Sequence, residues 1–130
     1  MKASCQAIGG TQMPYHVEGN FDPKEIALIL EAIPVGITVV DLNGHIQYYN
    51  DFSSQILDRK PEYIGQDLRN CHNTAASVEK IDHMLKAFKK GRQDEFGYET
   101  IRNGRHLAVK FSPLMVDGKI IACVQTVVVK

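Results

Sequence analysis

The chain has 130 residues, with 15 basic and 15 acidic side chains and a formal net charge of zero at pH 7. This length supports a single domain with a buried core, and the balanced charge gives no global electrostatic argument for binding nucleic acid or an anionic membrane. The three cysteines, Cys5, Cys71 and Cys123, are too few and too scattered for a disulfide framework. The few scattered cysteines favour a reducing compartment, so we expect a cytoplasmic protein. No apolar run approaches the ~20 residues of a membrane span.

Residues 1–21 are predicted to be a loosely ordered leader. This stretch contains Gly9, Gly10 and Gly19, shows no apolar periodicity and lacks the hydrophobic segment of a signal peptide. The folded domain is therefore expected to span residues 22–130.

A helix is predicted to begin at Asp22, whose carboxylate can cap the first turn, with Pro23 in that turn and Glu25 three residues after the cap. Apolar residues then recur at the spacing of one helix face until Pro34 ends the pattern. They are Ile26, Ile29, Leu30 and Ile33. This stripe can pack against the chain's own domain, join two subunits, or do both.

The next stretch predicts a β-hairpin followed by short helices. Residues 35–42 form a β-branched run of strand length, and Asn43-Gly44 is a strong signal for a two-residue turn because both residues tolerate positive φ. Residues 45–49 then form the second strand. Asn50 can cap a short helix, and residues 61–65 predict another that ends at a glycine.

The longest helical pattern covers residues 75–90 and is closed by Gly91. Its apolar stripe consists of Val78, Ile81, Leu85 and Phe88, with Met84 at the flank. At ~100° per residue, His83 falls on the side opposite to this stripe, so we expect His83 to face solvent.

The rest of the chain predicts three strands joined by tight turns. The strands are residues 95–102, 105–114 and 119–129, and the turns are Asn103-Gly104 and Asp117-Gly118. The last strand and residues 35–42 are apolar on both faces. We therefore expect these two strands at the centre of a sheet, with the N-terminal helix as the cover of its outer face.

The ordered set of short motifs in this chain resembles that of a PAS domain. The matching residues are Gly36-Ile37, Asp41, Asn43-Gly44, Ile46, Asn50 and Ile64-Gly65. Residues 57–60 depart from the pattern, because many members have a glycine and an aromatic residue there. The resemblance extends from about residue 22 to the C-terminus. It implies an α+β fold: a five-stranded antiparallel sheet whose first and last strands are adjacent at the centre, helices on one face, and an N-terminal helix.

The resemblance also implies a sensory or protein-interaction module of bacterial signal transduction, with a ligand or cofactor pocket between the sheet and the helices. The residues expected to line or border that pocket are Cys71, His72, Ile81, Leu85, Phe88, Phe96, Leu107, Val109, Phe111 and Gln125. The alternative is a ligand-free dimerisation module in which the same side chains fill a core. A lined pocket and a packed core use the same residue types, so both interpretations stay open.

Cys71-His72 is similar to a Cys-His pair that precedes the long helix in a subset of bacterial PAS domains, some of them fused to hemerythrin-like domains. That similarity suggests a haem-based gas or redox sensor, with His72 as the iron ligand and Cys71 as a second or redox-sensitive one. In the alternative, Cys71 is a small buried side chain and His72 caps the helix start. The cofactor is therefore left open, with haem as one candidate.

Flavin is not expected. Light-sensing PAS domains of the LOV type place a glycine three residues before their reactive cysteine, whereas Gly65 stands six residues before Cys71. Gln125 does match the flavin-contacting glutamine of their last strand, but it is the one match among the four motif positions compared.

No catalytic constellation stands out in the sequence. It has no HExxH motif, no CxxC motif and no glycine-rich phosphate loop, and its five histidines lack ligand spacing. We therefore expect no enzyme activity. We expect a homodimer formed through the N-terminal helix stripe, Ile26, Ile29, Leu30 and Ile33, and an effector domain or signalling partner as the recipient of the signal.

Overall fold

The computed structural model describes residues 7–8, 11–12, 21–71 and 74–130 of the chain. The chain divides into two compact units, Met1–Leu30 and Glu31–Lys130. The described part of the first unit contains two short antiparallel strands, β1 (Ala7–Ile8) and β2 (Thr11–Gln12), and most of helix α1 (Pro23–Ala32).

Helix α1 begins where the capping pattern predicts. The backbone N–H of Glu25 donates to Oδ1 of Asp22 at 2.8 Å, and the backbone N–H of Asp22 donates to Oε1 of Glu25 at 3.2 Å. These reciprocal bonds satisfy donors that a helix start leaves open. No residue of α1 is buried, and Ile26 and Ile29 are 47% and 44% exposed. Its role as cover of the sheet stays a prediction.

The second unit is built on one five-stranded antiparallel sheet. Its strands are β3 (Gly36–Asp41), β4 (Ile46–Tyr49), β5 (Phe96–Arg102), β6 (Arg105–Val116) and β7 (Lys119–Val129). Their spatial order is β4-β3-β7-β6-β5, so the first and last strands of the sheet are neighbours. This confirms the predicted α+β architecture and the central position of the two strands that are apolar on both faces.

Helices occupy one face of this sheet. They are α2 (Asp51–Ile56) and α3 (Ala75–Lys89), and two 3-10 turns, Pro61–Tyr63 and Leu68–Cys71, lie between them. None of the helices in the described ranges is long and apolar enough to cross a membrane.

Two predicted turns have the backbone that a two-residue hairpin requires. Asn103 and Asp117 have φ of 52° and 50°, and the glycine after each also has positive φ. This geometry is that of type I′ turns, which match the twist of the flanking strands. The β5–β6 and β6–β7 connections therefore follow directly from the two Asn/Asp-Gly pairs.

The core lies between α3 and the inner face of the sheet. From α3 it receives Ile81, Met84, Leu85 and Phe88, and from the sheet Val40, Leu107, Val109, Phe111, Cys123 and Val127. Met84 is fully part of this stripe, whereas Val78 is only half-buried. The helix is thus turned further toward its Met84 side than the apolar stripe in the sequence predicts. On the outer face, Ile37, Val39 and Val124 are half-buried.

Candidate functional site

A cavity of about 560 Å³ opens between one flank of α3 and the β5–β6–β7 half of the sheet. Its floor is apolar and its rim is polar. The apolar lining residues are Leu57, Ile81, Met84, Phe96, Ile101, Leu107, Val109 and Phe111, and the polar ones are Ser77, Lys80, His83, Tyr98, Glu99, Thr100, Arg102 and Gln125. A cavity of this size, with an apolar floor and polar groups that converge on it, has the character of a small-molecule site.

Six of the ten site residues predicted from the sequence line this cavity. They are Ile81, Phe96, Leu107, Val109, Phe111 and Gln125. Leu85 and Phe88 lie in the packed core instead, with 2% and 1% of their surface exposed, and they are not among the lining residues. The binding roles of all of these residues stay predictions.

His83 is exposed, as predicted, but it also borders the cavity. Its ring meets the ring of Phe96 edge-on, with 6.3 Å between centroids and 82° between planes. Edge strand β5 contributes all seven of its residues to the lining, and the α3 contribution includes Ser77 and Lys80. The cavity therefore extends along the side of α3. For this reason His83, which lies opposite the buried stripe of the helix, still borders the opening of the cavity.

The inner wall of the cavity carries a buried polar network. Nη2 of Arg59 donates to Oε1 of Gln125 at 3.0 Å, and Nε of Arg59 donates to Oγ1 of Thr38 at 3.3 Å. The hydroxyl of Thr38 is in turn 3.0 Å from that of Ser53 on α2. All four side chains are buried, with Arg59 7% exposed and Gln125 4% exposed. Their mutual hydrogen bonds offset the desolvation of these polar groups.

Sequence reasoning missed Arg59. It lies in residues 57–60, the segment that departs from the PAS pattern, and an arginine in an irregular segment ordinarily keeps its guanidinium in water. The sequence shows only that residues 57–60 lack the glycine and the aromatic residue of the PAS pattern. That departure does not predict which strand the Arg59 guanidinium reaches.

The rim is rich in cations. Arg92 lies over the ring of Phe96, with 3.8 Å from Cζ to the ring centroid, and Phe96 packs edge-on against Phe88. Lys80 and Arg102 also line the cavity, and the carboxylate of Glu99 is paired with Lys130 at 2.9 Å. Cationic side chains with aromatic and apolar neighbours favour a ligand that combines an apolar body with acceptor groups.

Comparison with known families identifies this architecture. A family model described as "PAS domain" matches residues 26–129. The chain belongs to the PAS domain family. PAS domains are generally sensory, non-catalytic modules, and the general role that follows for this chain is signal sensing.

Solved structures agree with this assignment at the level of the fold. A C-terminal domain from Streptococcus mutans is 23% identical over 90% of each chain, with a TM-score of 0.70. The PAS domain of a Colwellia psychrerythraea protein is 18% identical, with 82% of this chain and 95% of that chain covered and a TM-score of 0.64. The photoactive yellow protein domain of the sensor histidine kinase Ppr from Rhodospirillum centenum is 20% identical, covers 78% of this chain and 91% of that one, and has a TM-score of 0.57. No protein of curated function matches the chain.

In this PAS domain, the segment before α3 is fixed by a charged cluster. The guanidinium of Arg69 bonds to Asp67 at 3.0 Å and to Asp82 of α3 at 2.7 Å, and Nη2 of Arg69 donates to the carbonyl oxygen of Asn43 at 2.8 Å. The hydrogen bonds from Arg69 to Asp67 hold the pKa of the Asp67 carboxyl below its ordinary value. Arg69 thereby connects the β3–β4 turn to α3.

The predicted Cys-His site follows this cluster directly. His72 lies outside the described residues, and Cys71 is described only as the last residue of the 3-10 turn Leu68–Cys71. Haem ligation by His72, with Cys71 as a second ligand, therefore stays a prediction.

Cys123 is a buried thiol of the core whose pKa is raised to about 12 by burial. Within the described ranges no three His, Cys, Asp or Glu side chains are grouped to hold a metal ion.

Proposed function

We propose that this PAS domain is a sensory module that binds a small molecule in the cavity beside α3 and signals through a dimer contact on α1. The observation that carries the proposal is the cavity of about 560 Å³, which has the buried amide of Gln125 in its inner wall. An opening of this size is in the range of small-molecule sites.

A hydrogen-bond path from the cavity wall supports the signalling part of the proposal. Gln125 is bonded to Arg59, Arg59 to Thr38, and Thr38 to Ser53 of α2. A ligand that moves Gln125 therefore acts on side chains that reach α2. Such a ligand changes the populations of two conformations only as far as it binds one of them more tightly.

Helix α2 is in turn linked to the last turn of α1. The carboxylate of Glu31, in α1, accepts the backbone N–H of Asp51 at 2.5 Å and the hydroxyl of Tyr48 at 3.3 Å. Burial together with the Glu31 carboxylate raises the pKa of Tyr48 to about 12, so the phenol stays protonated as the donor. The start of α2 and the end of α1 therefore share a polar contact through which a shift can pass.

The apolar stripe of α1 supports the dimer part of the proposal. Ile26 and Ile29 are about half exposed, and Leu30 and Ile33, the residue that directly follows α1, are intermediate. Burial of apolar surface stabilises an association by about 25 cal/mol per Å² before its entropic cost is counted. A second copy of the chain that presents the same stripe is the occupant we propose for this helix face.

The ligand-binding part is tested by titrating the ¹⁵N-labelled protein with a diverse fragment library. We expect at least one fragment to shift the backbone amides of Tyr98, Val109 and Gln125. Replacement of Thr100, an exposed lining residue, by Trp should block the cavity and abolish those shifts. Lys110→Trp, on the opposite face of the same hairpin, should leave them in place. If no fragment moves these amides, the cavity is not a ligand site and the chain is an interaction module.

A further inference from the structure

The amide of Gln125 has only one orientation available to it. Gln125 lies in β7 between Thr38 of β3 and Phe111 of β6, and its Oε1 atom is 3.0 Å from Nη2 of Arg59. A guanidinium carries donors and no acceptor, so only the oxygen of an amide can face it. The amide nitrogen, Nε2, must therefore point away from Arg59.

The Nε2 atom is open to the cavity. No side chain or backbone group in the described ranges accepts a hydrogen bond from it. In the same ranges, every side-chain nitrogen or oxygen that is completely buried has a hydrogen-bond partner. Both statements hold only if Nε2 has access to open space. Since Gln125 is 4% exposed and lines the cavity, that space is the cavity. The wall thus presents a fixed N–H donor, which calls for an acceptor on the ligand.

The hydroxyl of Tyr98 and the cations of Lys80 and Arg102 belong to the lining of the same space. Tyr98 stands opposite Val109 in the β5–β6 pair, so its side chain shares the inner face of the sheet with Val109. Burial raises the pKa of the Tyr98 phenol, so its hydroxyl stays protonated and can donate a hydrogen bond. Lys80 and Arg102 line the cavity, and the carboxylate among its lining residues, Glu99, is already paired with Lys130.

We propose that the cavity binds an organic acid with an apolar body, one carboxylate oxygen of which accepts the Nε2 hydrogen bond of Gln125. This rests on the proposed function of the cavity as a ligand site. The apolar body packs against the floor formed by Met84, Leu107 and Phe111. An amine or guanidine is disfavoured, because its donors would meet the Gln125 donor and the charges of Lys80 and Arg102. The oxygen of a neutral amide can accept the Nε2 hydrogen bond of Gln125, but an uncharged ligand has no ionic attraction to Lys80 and Arg102.

The test is calorimetric titration of the full chain with three compounds of one chain length: octanoate, octanamide and octylamine. We expect octanoate to bind most tightly, octanamide more weakly and octylamine undetectably. Gln125→Glu retains an oxygen for Arg59 but replaces the Nε2 donor with a second oxygen. It should weaken octanoate binding about 10- to 100-fold, the value of one hydrogen bond to a charged group. Gln66→Glu makes the same change at an exposed residue and should bind octanoate like the unmodified chain.

The side-chain amide resonances of Gln125 in the unmodified chain give a second readout that does not depend on how well the variant folds. They should shift downfield when octanoate is added. The proposal is overturned if octylamine binds as tightly as octanoate, if Gln125→Glu leaves the octanoate affinity unchanged, or if octanoate binds without moving the Gln125 side-chain resonances. In each of these cases a compound that still shifts the amides of Val109 and Phe111 leaves the cavity a ligand site of another class. If no compound shifts them, the proposed function fails as well.

Discussion

The guanidinium of Arg59 donates to the amide oxygen of Gln125 at 3.0 Å, and both side chains are buried. This contact joins the segment after α2 to the central strand β7. It fixes which end of the Gln125 amide faces the cavity, and that end is the one that the proposed ligand would meet.

Arg59→Leu should lower the free energy of unfolding by about 1–3 kcal/mol, because the buried acceptors on Gln125 and Thr38 lose their donor. Urea unfolding followed by circular dichroism measures the change. The matched control is Arg105→Leu, at the exposed first residue of β6, which should change stability by less than about 0.5 kcal/mol. Equal losses in the two variants would show that the Arg59 bonds contribute nothing to stability.

Phe88→Ala should be more damaging. Phe88 is 1% exposed and packs edge-on against Phe96 with 5.5 Å between ring centroids. Truncating a buried Phe costs about 3–5 kcal/mol when the space cannot collapse. Ile101→Ala, at a residue that is 63% exposed, is the control and should be close to neutral. A midpoint of thermal unfolding that Phe88→Ala leaves unchanged would place this side chain outside the core.

The strands and turns follow from the sequence because each one has a local cause. Asn103-Gly104 and Asp117-Gly118 supply the positive φ that a two-residue hairpin turn requires, whereas at Asn43-Gly44 only the glycine has positive φ. The doubly apolar runs can be buried only in the middle of a sheet. The cap of α1 by Asp22 and Glu25 is equally local. Elements with local causes of this kind were predicted within a few residues of their bounds.

The boundary between core and cavity could not be predicted in the same way. Leu85 and Phe88 fill the core, whereas Ile81 and Phe111 line the cavity, although all four are apolar residues at inward-facing positions. The difference depends on how far β5 lies from the flank of α3, a distance set by tertiary packing. The Arg59–Gln125 contact is equally non-local, since 66 residues separate the partners.

Acid should weaken the contact between Asp67 and Arg69. The bonds from Arg69 lower the pKa of Asp67 in the folded chain below the ordinary value of about 3.9. A lowered folded pKa contributes stability above the ordinary pKa, and that contribution is lost as pH falls through the folded value. Urea midpoints measured from pH 7 down to pH 2 should therefore fall less steeply in acid for Asp67→Asn than for the unmodified chain. Asp94→Asn, an exposed change outside the cluster, should retain the steep fall, and parallel curves for all three proteins would contradict the argument.

Replacing both Ile29, in α1, and Ile33, directly after α1, with Asp should convert the proposed dimer to monomers, because the change puts charge into the apolar stripe that we propose as the contact. Sedimentation equilibrium gives the mass directly. Lys24→Asp, near the N-terminus of α1 where an added carboxylate is compatible with the helix dipole, is the control and should remain dimeric. An unchanged mass for the double variant would exclude this face as the dimer contact.

The most direct test of the sensory account is whether occupancy of the cavity changes the dimer. Sedimentation velocity gives the dimer dissociation constant of the unmodified chain and of Thr100→Trp. Each protein is measured without octanoate and with saturating octanoate. The account predicts that octanoate changes the dimer dissociation constant of the unmodified chain by about 5- to 150-fold, the range of ordinary allosteric coupling, and leaves that of Thr100→Trp unchanged. A dissociation constant that octanoate binding does not alter in the unmodified chain would contradict it.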